Sequence, residues 1–214
     1  MDAIALVKQR AHERSADFIE AHGANALLFS RKAKVLDYVS GQIPTDGLMM
    51  ECGVFKGGSI NHMARLLPDR QLFGFDSFEG LSERWPGMNH EAGHFDLGGV
   101  FPQVEDNVTL IKGWVDDTLP PFLDNNAGPI AYLHVDTDTY SPAKAILGLC
   151  KHRLVEGSVL LFDELIGYPN WEQAEYKALS EEIPADSYEF IAFSPMQAAV
   201  RFLRANATRF GIDP

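Results

Sequence analysis

The 214-residue sequence predicts an α/β fold: a doubly wound, mostly parallel sheet with helices on both faces, closed by an antiparallel hairpin. Three observations predict it. From Leu48 onward, short apolar runs alternate with segments of helical spacing. These runs lead into carboxylates: Glu51, Asp76, Asp136 and Asp163. Two late apolar runs, 188–194 and 198–204, are separated only by Pro195, Met196 and Gln197. That link is too short for a parallel crossover, so the two runs must be antiparallel.

Each element has its own signal. Ile4, Val7, Ala11 and Phe18 recur at helical spacing over residues 2–22, and Gly23 stops that helix. A second helix is expected from Ser30 to Ser40, on Ala33, Leu36, Tyr38 and Val39, before Gly41, Pro44 and Gly47 break the chain. Residues 1–46 thus read as N-terminal helices packed on a core domain of 47–214. Within that domain strands are expected at 48–54, 71–76, 108–112, 130–136 and 158–162. Helices are expected at 59–67, 142–153 and 171–182, with Pro142 at an early position that a helix tolerates. Residues 79–107 show no period and are rich in Gly, Pro, His and aromatics. So long a loop is usually functional, and Trp85, Phe95 and Phe101 argue for order. It is expected beside the ligand, with room for a short helix.

Composition narrows the function. A net charge of −12 and a pI near 4.9 leave no basic stripe for nucleic acid and disfavour anionic membranes. Cys52 and Cys150 lie in apolar stretches and read as buried free thiols of a reducing cytoplasm. No signal-peptide pattern and no apolar run of spanning length is seen, so the expected location is cytoplasmic.

The stretch LMMECGVFKGGS, 48–59, joins an apolar strand to a helix N-terminus through glycines. Such a turn offers free backbone N–H groups to a small ligand. Its spacing, E-x-G-x-x-x-G-G-S, is neither the dinucleotide fingerprint nor a P-loop. Glu51 ahead of the first glycine would repel a phosphate and suits an ammonium or sulfonium group. Asp76 stands about twenty residues past the turn, where an acid accepts hydrogen bonds from a ribose diol; the plainer reading is a turn or cap aspartate.

Asp136, Asp138, Asp163 and Glu164 complete an acidic rim at the carboxyl ends of the strands. So many like charges call for a cation. Hard oxygens without clustered His or Cys suit Mg2+, less well Ca2+ or Mn2+. Asp138 reads as a further ligand, a base or a helix cap. His134, inside a strand, reads as a packed core residue. His90 and His94 in the long loop are weakly signalled as general bases. His62 reads as structural, and Lys56 as the partner of a ligand carboxylate or of Glu51.

With these residues assembled, the chain resembles class I S-adenosylmethionine-dependent methyltransferases, and within them the macrocin O-methyltransferase (TylF-like) family of natural-product sugar enzymes. The resemblance rests on ECGVFKGGS (51–59), FGFDSFEGL (73–81), the run 95–120, LHVDTDTY (133–140) and LLFDELIGY (160–168). It implies a Rossmann-like seven-stranded methyltransferase sheet. It implies that Glu51, Gly53, Gly57 and Ser59 hold the methionine part of the cofactor, lined by Phe55. Asp76 would bind the ribose with Ser77 beside it, and Gly113, Trp114 and Asp116 would lie against the adenine. Asp136, Asp163 and Glu164 would hold Mg2+ or another divalent cation, with Asp138 as base and Asp136 also catalytic. The family has two adjacent aspartates where this chain has Asp163–Glu164. The implied function is O-methylation of a small-molecule hydroxyl, on a sugar or another diol or phenol, by a possible homodimer. The rival readings are a metal-independent methyltransferase on another small acceptor and a non-catalytic cofactor-binding module.

Overall fold

In the computed structural model, which describes residues 2–44 and 46–203, eight strands form one sheet. The elements run α1 (Ala3–His22), β1 (Leu27–Leu28), α2 (Lys32–Ser40), β2 (Leu48–Cys52), α3 (Gly58–Leu66), β3 (Leu72–Asp76), β4 (Val108–Lys112), α4 (Val115–Asn125), β5 (Ile130–Val135), α5 (Tyr140–Cys150), β6 (Leu154–Phe162), α6 (Glu175–Glu182), β7 (Tyr188–Phe193) and β8 (Ala198–Phe202). The strand order is β1-β7-β8-β6-β5-β2-β3-β4. β2 to β6 are parallel, and β8 alone runs antiparallel to its neighbours, as the three-residue link requires.

Two elements differ from expectation. The sheet has eight strands among the described residues rather than seven, because Leu27 and Leu28 add a two-residue edge parallel to β7. Two residues carry no alternation to read. α4 fell in a stretch with no expected element, since Pro120 and Pro121 lie inside it. Proline removes an amide donor and normally ends a helix. The long loop, 79–107, contains no helix. Residue 204 and the last ten residues of the expected core domain lie outside the described residues.

Strand periodicity decides which side chains meet. Both faces of a parallel sheet are covered, so alternate residues enter different cores. Met50, Leu133 and Leu160 face α4, α5 and α6, together with Phe18 of α1. Met49, Tyr132 and Leu161 face α2 and α3. Two-residue steps from these last three give Glu51, His134 and Asp163, so all three point to the α2–α3 side. Register sets Glu51 of β2 opposite His134 of β5. The N-terminal helices therefore lie on opposite faces of the sheet, joined round its β7 edge by β1. Cys52 and Cys150 are buried free thiols. No helix of the described residues is long and apolar enough to cross a membrane.

Candidate active site

Between β2 and β5 the strand order switches direction, the place where open α/β sheets hold ligands. A hollow of roughly 380 Å3 opens there at the carboxyl ends of the strands. That is within the range of small-molecule sites. Its floor begins at Gly53, whose φ is 90°, and a Cβ there would lie 1.6 Å from the Asp136 carbonyl oxygen. Only glycine lets the β2 and β5 tips close this tightly.

Of the residues expected to hold cofactor, Gly53, Phe55, Ser59, Asp76, Ser77, Gly113 and Trp114 line the hollow. Glu51, Gly57 and Asp116 do not. Glu51 is buried beneath the turn, where one oxygen accepts from Ser59 Oγ at 2.9 Å and the other meets His134 Nδ1 at 2.9 Å. Gly57 is the left-handed cap of α3, and Asp116 lies in the first turn of α4, where a negative charge favours the helix dipole. Asp76 braces the turn: its Oδ2 accepts from the Val54 and Phe55 N–H groups at 2.7 Å each, and Oδ1 from Phe78 N–H at 2.6 Å. A carboxylate has about four acceptor sites. One therefore remains for a ligand.

The roof comes from the long loop. Leu81, Trp85 and Phe95 line the hollow, and the Phe95 ring meets Phe55 edge-on at 5.2 Å. Phe55, Phe95 and Asp138 all have positive φ, 47°, 71° and 62°. Such conformations are uncommon outside glycine and gather where the surroundings dictate the backbone. His90 and His94 stack on each other at 3.9 Å and do not line the hollow. His62 bonds Asp37 of α2, a structural role. Lys56 lies over the Phe55 ring and lines the hollow, while Glu51 takes other partners.

The acids at the β5 and β6 tips do gather, in two groups. Ligand atoms of His134, Asp136 and Asp163 lie within 4.8 Å of one another, and so do those of Asp136, Asp138 and Glu164. The expected Asp136–Asp163–Glu164 set is thus split, with Asp136 common to both groups. Among the described residues, Glu164 Oε2 is buried without a hydrogen-bond partner. A hard-oxygen set with an orphaned carboxylate oxygen is compatible with a divalent cation of the Mg2+ type.

Two protein cations already offset the rim. His134 is fully buried, and its Nε2 lies 3.3 Å from Asp163 Oδ1. Burial pulls its pKa down, but the Glu51 charge and the bonds to Asp163 and Glu51 prevail and lift it to about 10. Lys32, at the start of α2, sets its Nζ 2.5 Å from Asp163 Oδ1 and 3.5 Å from Asp136 Oδ2. Burial opposes that charge too, yet Asp136 and Asp163 hold the amine above its ordinary value. Asp163, despite burial, is held low by His134 and Lys32. Burial and the neighbouring Asp163 push Asp136 and Glu164 up. Asp138 rises to about 6, chiefly from burial and against its bond to Glu164.

Three partners had no readable signal. Lys32 lies in a helix whose spacing favoured packing on the core over a flap across the active site. Glu175, buried at the start of α6, accepts from the Thr137 and Glu164 N–H groups at 3.3 Å and so ties the two acidic loops together. Gln197, in the hairpin link, donates its Nε2 to Asp163 Oδ1. Strand parity would have placed Glu51, His134 and Asp163 on one face, but not these.

Comparison with known proteins bears on this geometry. Residues 50–165 match the family model described as a methyltransferase domain. The structure is similar to that of CalS11, a calicheamicin methyltransferase, with a TM-score of 0.67 and 26% identity over 79% of this chain and 77% of that one. A second CalS11 structure, described as a TDP-rhamnose 3'-O-methyltransferase of calicheamicin biosynthesis, gives a TM-score of 0.60 and 27% identity over the same shares, 79% and 77%. The O-methyltransferase NovP shares the fold, with a TM-score of 0.58 at 19% identity over 81% of this chain and 80% of that one. A comparison of the chain with curated proteins finds no match.

Proposed function

The chain belongs to the methyltransferase-domain family and is an S-adenosylmethionine-dependent methyltransferase; from that premise we propose that it methylates a hydroxyl of a small molecule, a sugar or another diol or phenol, with help from a divalent cation. Within the class, the sequence resemblance of residues 51–59, 73–81, 95–120, 133–140 and 160–168 supports the macrocin O-methyltransferase group. The observation that carries this reading is the acid cluster at the β5 and β6 tips, set in the same hollow as the glycine turn of β2. CalS11, described as a TDP-rhamnose 3'-O-methyltransferase, supports the acceptor class.

When bound, the cofactor supplies a methyl group already activated by sulfonium charge, and the cation supplies Lewis acidity toward the acceptor oxygen. The chain does the rest. The turn from Gly53 to Ser59 receives the methionine part, with Glu51 behind it as a buried negative charge. Asp76 offers its remaining acceptor site to the ribose, with Ser77 beside it, while Gly113 and Trp114 border the adenine end and Asp116 stands behind them. Asp136, the member common to both acid groups, would hold the ion together with Asp163 of one group and Glu164 of the other. Asp138 takes the hydroxyl proton, its carboxylate lying in the same acid group as Asp136 and Glu164 and lining the hollow. Trp85 and Phe95 exclude water from above.

A methyl-transfer assay over a panel of diols and phenols tests the reading. Product is expected from a diol in the presence of Mg2+, and its loss in EDTA is expected to reverse on readdition of Mg2+. Undiminished turnover in EDTA would remove the cation from the proposal and favour the metal-independent alternative.

A further inference from the structure

Lys32 is the first residue of α2, where a positive charge opposes the helix dipole. α2 itself gains nothing from it there. The ammonium instead reaches across to Asp163 and Asp136, carried by residues far apart in sequence. Its side chain stays 41% exposed and lines the hollow, so a path to solvent is open. Asp136, the residue it shares with Asp163, is also the member common to both acid groups.

An ion held by Asp136, Asp163 and Glu164 needs the first two carboxylates to turn toward it. Lys32 holds both. A dication and an ammonium on the same Asp136 carboxylate would repel strongly in this partly dry setting. Lysine is suited to leave, since its strongly hydrated head rides a flexible four-carbon stem.

We propose that Lys32 is a tethered competitor for the divalent cation: its ammonium occupies the Asp136–Asp163 seat, and loading of the ion displaces it into solvent. The apparent ion affinity is thereby set below what the carboxylates alone would give. This rests on the cation-assisted reading above, and the experiment separates the two.

Mn2+ binding is measured by calorimetry and by electron paramagnetic resonance on the full chain with S-adenosylhomocysteine present, in the wild type, Lys32→Met and Lys32→Arg. Lys32→Met is expected to tighten Mn2+ by about tenfold or more, the usual scale of coupling between two bound groups. Lys32→Arg, which keeps the charge, is expected to stay close to the wild type. Binding of equal strength in the wild type and Lys32→Met overturns this inference alone, as does equal tightening in both variants. Absence of Mn2+ binding in all three overturns it together with the cation reading. A second measurement needs no variant: Mn2+ is expected to raise acylation of Lys32 in the wild type relative to the exposed Lys8, read by mass spectrometry. Unchanged labelling under saturating Mn2+ overturns the displacement.

Discussion

Asp76 at the β3 tip and Asp163 just beyond the β6 tip are both carboxylates with three partners, yet the partners differ in kind. Asp76 is held by the backbone N–H groups of Val54, Phe55 and Phe78. Asp163 is held by the side chains of Lys32, His134 and Gln197. Backbone donors arrive with the turn itself, cannot titrate and cannot swing away. Side-chain donors come from α2, β5 and the β7–β8 link, two of them bear charge, and one stands at an open surface. The glycine-turn end of the hollow is therefore a fixed frame, and the acid end is adjustable.

The largest effect expected from breaking this contrast is at the acid end. Asp136→Ala should lower methyl transfer by about 10³-fold, the scale of losing a positioned charge at the reacting centre. Affinity for S-adenosylhomocysteine, measured by calorimetry, should change little, because no residue of the glycine turn leans on the Asp136 side chain. A parallel loss of cofactor affinity would show that the two ends are one unit.

Asp76→Ala should act the other way. It strands three backbone donors near a buried turn, and charge-assisted bonds of this kind contribute about 1.5–3 kcal/mol each without being additive. A loss of about 2–4 kcal/mol in urea unfolding is expected, together with weakened cofactor binding. Unchanged stability would mean that the turn holds its shape without the carboxylate.

The smallest effect sharpens the comparison through pH. The folded pKa of His134 is raised to about 10 from an ordinary 6.5. A raised pKa means stability that is fully present below pH 6.5 and is lost as pH climbs through 10. Unfolding free energy should thus fall across that window by about 1 kcal/mol or more, and His134→Gln should flatten the fall. An equally steep fall in His134→Gln would assign it elsewhere.

Much of this was legible along the chain. The ECGVFKGGS turn and the strand-end acids follow from local rules. Glycine supplies conformations other residues avoid, and side chains alternate along a strand. The roof was legible as a loop with too many aromatics to be idle, although Trp85 and Phe95, not Phe101, line the hollow. α4 was hidden because Pro120 and Pro121 mimic a break, and β1 because two residues carry no period.

What the sequence determined by itself was the frame: the five parallel strands from Leu48 onward and the closing hairpin, the glycine turn, and the line of carboxylates at one edge. It also showed that those charges need an opposing cation. Tertiary structure alone decided which cations meet them. Lys32 lies 104 residues from Asp136, and His134 becomes a buried positive charge only where packing sets it between Glu51 and Asp163. Local preferences act over a few residues, whereas electrostatic pairing acts over a few ångströms, and only the folded chain turns one distance into the other.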